Sequence, residues 1–302
     1  MEEMTTGLCP KCGHTLQIPA ELERFSCMYC GERLTKRQLL TQPEEASCSE
    51  EDCAVSFDHA VSRLGWCVQN FRGYQKKILR DAFFEAFETY ETGCAPVIQE
   101  LNSGVRPERQ TELLDRAAEA MLDELSAGWE KKNDMEDEKV ILAIFFVPMV
   151  RKLQLPVSEE FVSLLQKKWV ERYPKSPFYL GDYESISGGF RKKFLGLCFI
   201  TTAVCQELGK PDDCAELTAF RAFRDGYLAA QPDGEALIRE YYNIAPGIVT
   251  CINTCSDRHA SYERIREQYL TPCYEDLLAG RNESCKARYV QMVRDLEREY
   301  LN

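Results

Sequence analysis

The sequence predicts a mainly α-helical protein with a small separate unit at its N-terminus. Three observations carry this. Apolar residues recur at helical spacing from Phe57 onward, two Cys-x-x-Cys knuckles bracket a short strand pair before residue 32, and an acidic stretch with little to bury lies between. A chain of 302 residues with 44% apolar side chains can bury at least one sizeable core, so two or three units are expected. The net charge of -12 argues against general attraction to nucleic acid or an anionic membrane. The opening MEEMTTG lacks the basic and apolar regions of a signal peptide, and the uncharged runs at 140–150, 194–206 and 241–256 fall short of the roughly 18 residues a span needs. A soluble cytoplasmic protein with no membrane partner is expected, so the 15 cysteines are read as reduced thiols or metal ligands.

In the first unit, CPKCG at 9–13 and CMYCG at 27–31 leave 14 residues between Cys12 and Cys27. A Cys-x-x-Cys turn aims two sulfurs at one point, Gly13 and Gly31 tolerate the positive φ such knuckles use, and four thiolates satisfy tetrahedral zinc. Cys9, Cys12, Cys27 and Cys30 are thus the expected ligands of one structural Zn2+, with His14 as the rival. Four cysteines leave no open coordination position, so the metal is structural, and it supplies folding free energy that about forty residues cannot draw from a core. The gap is expected to hold a hairpin, with LQI and ERFS as its strands. Residues 1–38 carry five basic and five acidic side chains, a balance that favours docking to protein over DNA.

Residues 39–56 read as an acidic linker, and TQPEEASCSEEDC within them has five acids and no base, with Cys48 and Cys53 expected as surface thiols. A helical domain over 57–177 follows. One apolar stripe runs from Tyr74 through Ile78, Phe83 and Phe87 to Tyr90, and a second from Leu113 to Leu125. KVILAIFFVPMVRKL is apolar nearly all round and predicts a buried central helix bent by Pro148. Ser158 predicts the capped start of a helix that ends before Pro174. Acids such as Glu112, Asp115, Glu119 and Asp123 fall on the polar face.

Between residues 166 and 194 the charge reverses. Lys167, Lys168, Arg172, Lys175, Arg191, Lys192 and Lys193 face only three acids, and seven aromatics lie among them, including Trp169, Phe178, Tyr179 and Phe190. Basic side chains with stacking surfaces are how single-stranded nucleic acid or another polyanion is held. The alternative is that the rings pack helices together while the cations stay in water. No phosphate-loop motif occurs.

The last segment, 178–302, contains CFITTAVC. As a helix, this run puts Cys198, Thr201, Thr202 and Cys205 within about 100° of arc, facing one neighbour. As a strand, it divides them between two faces. FLGLCFITTAVCQELGKPDDCAELTAFRAFRDGYL, together with EYYNIAPGIV, resembles the CFI-box C-terminal domain, an uncharacterised bacterial family. The strings carrying the resemblance are Cys198 to Ala203, Leu217 to Asp225 and Glu240 to Val249, and QELGKPDD departs from the family's commoner form. The resemblance implies a bacterial helical domain and no particular activity. Pro211 and Asp213 suit a helix start, with Leu217, Phe220, Phe223 and Tyr227 on its buried face, and Arg224 and Asp225 placed to fix the Cys198 helix by hydrogen bonds.

Three roles compete for Cys198. As the nucleophile of a hydrolase or transferase it needs a base, and His259, oriented by Asp257, is the candidate. As a metal ligand it would join Cys205 and Cys214, while Cys251, Cys255, Cys273 and Cys285 form a further set. As a small buried hydrophobe it only packs. The leading expectation is a zinc-binding modular scaffold that engages a protein partner. A Cys198-dependent enzyme comes second, and polyanion binding through 166–194 third.

Overall fold

The computed structural model describes residues 4–10, 15–19, 21–29, 31–39, 50–130, 133–191, 198–255 and 257–301, which form two compact units, Met1–Ala54 and Val55–Asn302. The first is built from two antiparallel hairpins. Strand β1 (Met4–Leu8) pairs with β2 (Thr15–Pro19), and β3 (Arg24–Ser26) with β4 (Arg33–Thr35), before a turn of helix α1 (Lys36–Leu39). LQI and ERFS are therefore both strands, but they do not pair with each other. In sequence each knuckle falls between the two strands of one hairpin. Leu16, Ile18, Leu34 and Leu39 make a small core that also buries Cys9 and Cys27.

Among the described residues the second unit is built from helices and turns. Helix α2 (Glu50–Leu64) spans the boundary between the two units and starts with Glu50, Glu51 and Asp52, which complement the positive end of its dipole. The acidic stretch thus turns helical at residue 50, and 41–49 lie outside the described residues. Cys53 falls four residues before Phe57, on the same face, and is buried with it.

After α3 (Trp66–Gln69) the expected stripe from Tyr74 to Tyr90 is not one helix. A 3-10 turn (Tyr74–Lys77) precedes α4 (Phe83–Gly104), because the backbone between them bonds elsewhere. Arg80 N–H donates to the Asn243 carbonyl and Asp81 N–H to Asn243 Oδ1, both at 3.0 Å. Helix α5 (Gln110–Ala127) buries Leu113 to Leu125 as its period requires.

The apolar run forms α6 (Asp134–Ile141), a π turn (Leu142–Phe146) and α7 (Val147–Lys152), buried nearly throughout. Pro148 follows the wide turn, which absorbs the hydrogen bond the proline cannot make. Helix α8 (Ser158–Arg172) packs on α5. Ser158 is its first residue and makes no capping box, since its hydroxyl donates to the Val150 carbonyl at 2.7 Å and accepts from Leu155 N–H.

Next come α9 (Tyr183–Arg191), α10 (Phe199–Glu207) and α11 (Ala215–Ala222), which runs into a π turn (Phe223–Tyr227) and a 3-10 turn (Leu228–Ala230). Helices α12 (Gly234–Thr254), α13 (Arg258–Ile265), α14 (Thr271–Leu278) and α15 (Asn282–Tyr300) complete the chain, with a third π turn (Arg266–Leu270) just before Pro272. The segments 57–177 and 178–302 share one hydrophobic core from Phe57 to Leu301. Phe83 stacks on Phe190 at 4.3 Å across them. Among the described residues no helix is long and apolar enough to cross a membrane.

Candidate functional site

CFITTAVC is helical, and Cys198 caps the start of α10. Its carbonyl accepts the first intrahelical bond, from Thr202 N–H at 2.6 Å. The thiol is 4% exposed and takes a hydrogen bond from Arg224 Nη1 at 3.5 Å. The same nitrogen donates to the Tyr242 hydroxyl at 3.1 Å, while Nε and Nη2 grip both Asp225 oxygens at 2.6 and 2.7 Å. Ile200 N–H, left free at the helix start, donates to the Tyr241 hydroxyl at 3.0 Å, which also accepts from Tyr289 at 3.3 Å. Thr201 Oγ1 closes the chain on Tyr289 at 3.1 Å. The three strings that carry the family resemblance, far apart in sequence, thus meet here.

Burial pushes the Cys198 thiol above its ordinary pKa, against the pull of Arg224 and Arg221. Hydrogen bonding from Arg224 holds Asp225 below the usual carboxylate range. Beside the thiol lies an apolar cleft of about 60 Å³, with Phe220, Phe223, Ile238 and Val293 in its wall, room for four or five waters or one small apolar side chain. The only carboxylate among its described lining residues, Glu240, is held by both arms of Arg294 at 2.6 and 2.8 Å.

His259 is not near this thiol. Its ring is 67% exposed and lies 3.4 Å from Glu207, at the far end of α10, about 13 Å along the axis from Cys198. The nucleophile and its expected base are held at opposite ends of one helix. Nor does the polar stripe face one neighbour. Cys198 meets Arg224, Thr201 meets Tyr289 on α15, and Cys205 lies 3.7 Å from Cys214 at the start of α11. Thr202 Oγ1 is buried without a hydrogen-bond partner.

The remaining expected metal sets are also split. Cys214 touches Cys205 but not Cys198, Cys255 donates to the Cys251 carbonyl at 3.2 Å, and Cys273 to the Cys285 carbonyl at 3.8 Å. Among the described residues no group of three or more His, Cys, Asp or Glu side chains could hold a metal ion. In the N-terminal unit Cys12, His14 and Cys30 lie outside the described residues. Cys9 and Cys27 are buried in its core, and Gly31 has the positive φ, 73°, expected of a knuckle glycine.

In the basic segment, Trp169, Phe178 and Phe190 are buried and so closed to stacking bases. Lys168 pairs with Asp115 and Glu119, Arg172 with Glu119 and Asp123, and Arg191 with Glu184. Lys192, Lys193 and Phe194 lie outside the described residues. One buried contact escaped the sequence. Lys139 Nζ donates to Ser176 Oγ at 2.7 Å, and Ser176 in turn donates to Glu136. The arrangement ties the loop at Ser176 to α6.

Tyr241, Tyr242 and Tyr289 were missed as site residues. The first two lie in a string already singled out by resemblance, while nothing local marks Tyr289, 88 positions from its partner Thr201. These features define a mainly helical protein with a two-hairpin N-terminal unit and a buried thiol-guanidinium cluster. Comparison with protein families, curated proteins and solved structures returned no match.

Proposed function

We propose that the chain is a non-catalytic zinc-binding scaffold whose N-terminal ribbon docks onto a protein partner. The observation that carries this is the second knuckle. Met28 and Tyr29, between Cys27 and Cys30, are 76% and 57% exposed. Large apolar side chains held in water at the tip of a rigid turn are suited to anchoring a partner. Cys9, Cys12, Cys27 and Cys30 would hold the structural Zn2+ that makes the turn rigid. Cys198 fits the role of a strut better than that of a nucleophile. Its cation is already committed to Asp225 and Tyr242, and Glu240 in the wall of its cleft is committed to Arg294.

The test is recovery of bound proteins by the full-length chain and by a Met28→Ala/Tyr29→Ala variant of unchanged zinc content. A protein retained by the first and lost with the second is the expected result. Equal recovery by both overturns the docking role.

A further inference from the structure

The described cysteines of the helical unit occur mostly in pairs, and one pair differs from the others. Cys67 and Cys94 are fully buried, as are Cys273 and Cys285. In both pairs one thiol also donates to the backbone carbonyl of the other cysteine, Cys94 to Cys67 and Cys273 to Cys285, each at 3.8 Å. Cys205 and Cys214 also meet sulfur to sulfur, at 3.7 Å, van der Waals contact with nothing between, but this pair is not sealed in the core. Cys214 is only half-buried.

The surroundings suit exchange. Cys205 sits in the last turns of α10, and Cys214 is the residue before α11, so the short stretch between them includes Gly209, whose φ is 68°. Cys214 N–H closes a turn onto the Pro211 carbonyl, and the Lys210–Glu216 ion pair lies beside both thiols. Burial and the neighbouring Cys214 push the Cys205 thiol up, with Lys210 opposing and Glu216 adding to the rise, so the exchange rests on the sulfur contact and on access at Cys214. A disulfide needs its sulfurs at about 2.05 Å, so closing the gap takes a movement of under about 2 Å, within reach of a side-chain rotation at Cys214 and a small shift of the turn.

We propose that Cys205 and Cys214 form a reversible dithiol site that reacts with small-molecule disulfides of the glutathione class. The Cys214 thiolate attacks one sulfur of the small disulfide, forming a mixed disulfide and displacing one thiolate, which takes up the proton Cys214 lost. The Cys205 thiolate then attacks the Cys214 sulfur and releases the second small thiol. Two electrons pass from the protein dithiol to the small disulfide, giving one intramolecular disulfide and two free thiols. The assignment does not rest on the docking role of the ribbon.

The experiment incubates the reduced full-length protein in glutathione redox buffers, traps free thiols by alkylation and maps the cysteines by peptide mass. The expected product is a Cys205–Cys214 linked peptide that forms before any other link and reverts with excess reduced glutathione. Cys205→Ser, unable to resolve the intermediate, should accumulate a glutathione adduct on Cys214. Cys214→Ser, a change at a half-buried position, should abolish both products with the fold intact by circular dichroism. Arrest of the wild-type protein at the adduct, or a link that forms no faster than one at Cys251–Cys255, overturns the proposal.

Discussion

At the scale of single residues, Arg224 decides what Cys198 is. The guanidinium is 9% exposed and joins a thiol, a phenol and a carboxylate through one fork, a geometry that lysine cannot reproduce. Arg224→Met should cost about 1–3 kcal/mol, read from the urea midpoint, because it strands a buried phenol. The same variant should slow alkylation of Cys198 at any given pH. Burial raises this pKa and Arg224 opposes the rise. Removing the cation therefore raises the pKa further and thins the thiolate. In the wild-type protein the rate should climb only at and above the ordinary thiol range, near pH 8.5. A plateau reached below about pH 7 would restore the enzymatic reading.

Asp276 titrates in the opposite direction. The Ser284 hydroxyl, then Arg281 and Arg288, hold its carboxyl below the usual range. A depressed native pKa adds stability above the unfolded value of about 3.9 that is lost as pH falls through the native one. Asp276→Asn should therefore be less stable at neutral pH and show a shallower acid limb in pH-dependent unfolding.

At the scale of elements, prolines and glycines set how the helices bend and touch. Two of the π turns, at Leu142–Phe146 and Arg266–Leu270, come just before Pro148 and Pro272. In each case the missing N–H is absorbed by a widened turn and the rod continues. Gly247 acts by size. A Cβ there would lie 1.9 Å from the Ile78 carbonyl oxygen, a backbone atom that cannot swing away. Gly247→Ala should cost on the order of 2–3 kcal/mol, measured by thermal or urea unfolding, since α12 must move off the segment at Ile78. A neutral result would mean that the two backbones do not approach as described.

At the scale of the whole molecule, the two units rest on very different cores. The helical unit buries residues from Phe57 to Leu301 in one core, whereas the N-terminal unit buries Cys9, Leu16, Ile18, Cys27, Leu34 and Leu39. Among the described residues the buried side chains of that unit are few, so the proposed zinc is what would stabilise it. The purified reduced protein should contain about one zinc. A chelator should abolish amide protection over residues 4–39 and leave the protected core of residues 55–302 intact. Protection of 4–39 that survives complete zinc removal would refute the ribbon. Zinc retained after deletion of residues 1–38 would place a metal in the helical unit.

The helical class, the stripe of α5 and the extent of α8 were legible because they follow from period and composition, which are local. The convergence of CFITTA, FRD and EYY on one cluster was foreshadowed only in part, through Arg224 and Asp225. Tyr289 could not be seen, since its role depends on α15 passing α10 and no neighbouring residue records that. The distance between Cys198 and His259 was equally hidden, because sequence spacing does not show which ends of helices meet. By itself the sequence determined the helical class and where the thiols stand along the chain. Only the tertiary structure decided that Cys198 meets a guanidinium and not an imidazole, and that Cys205 meets Cys214. Those partners are brought together by helix packing, and packing is set by the whole core.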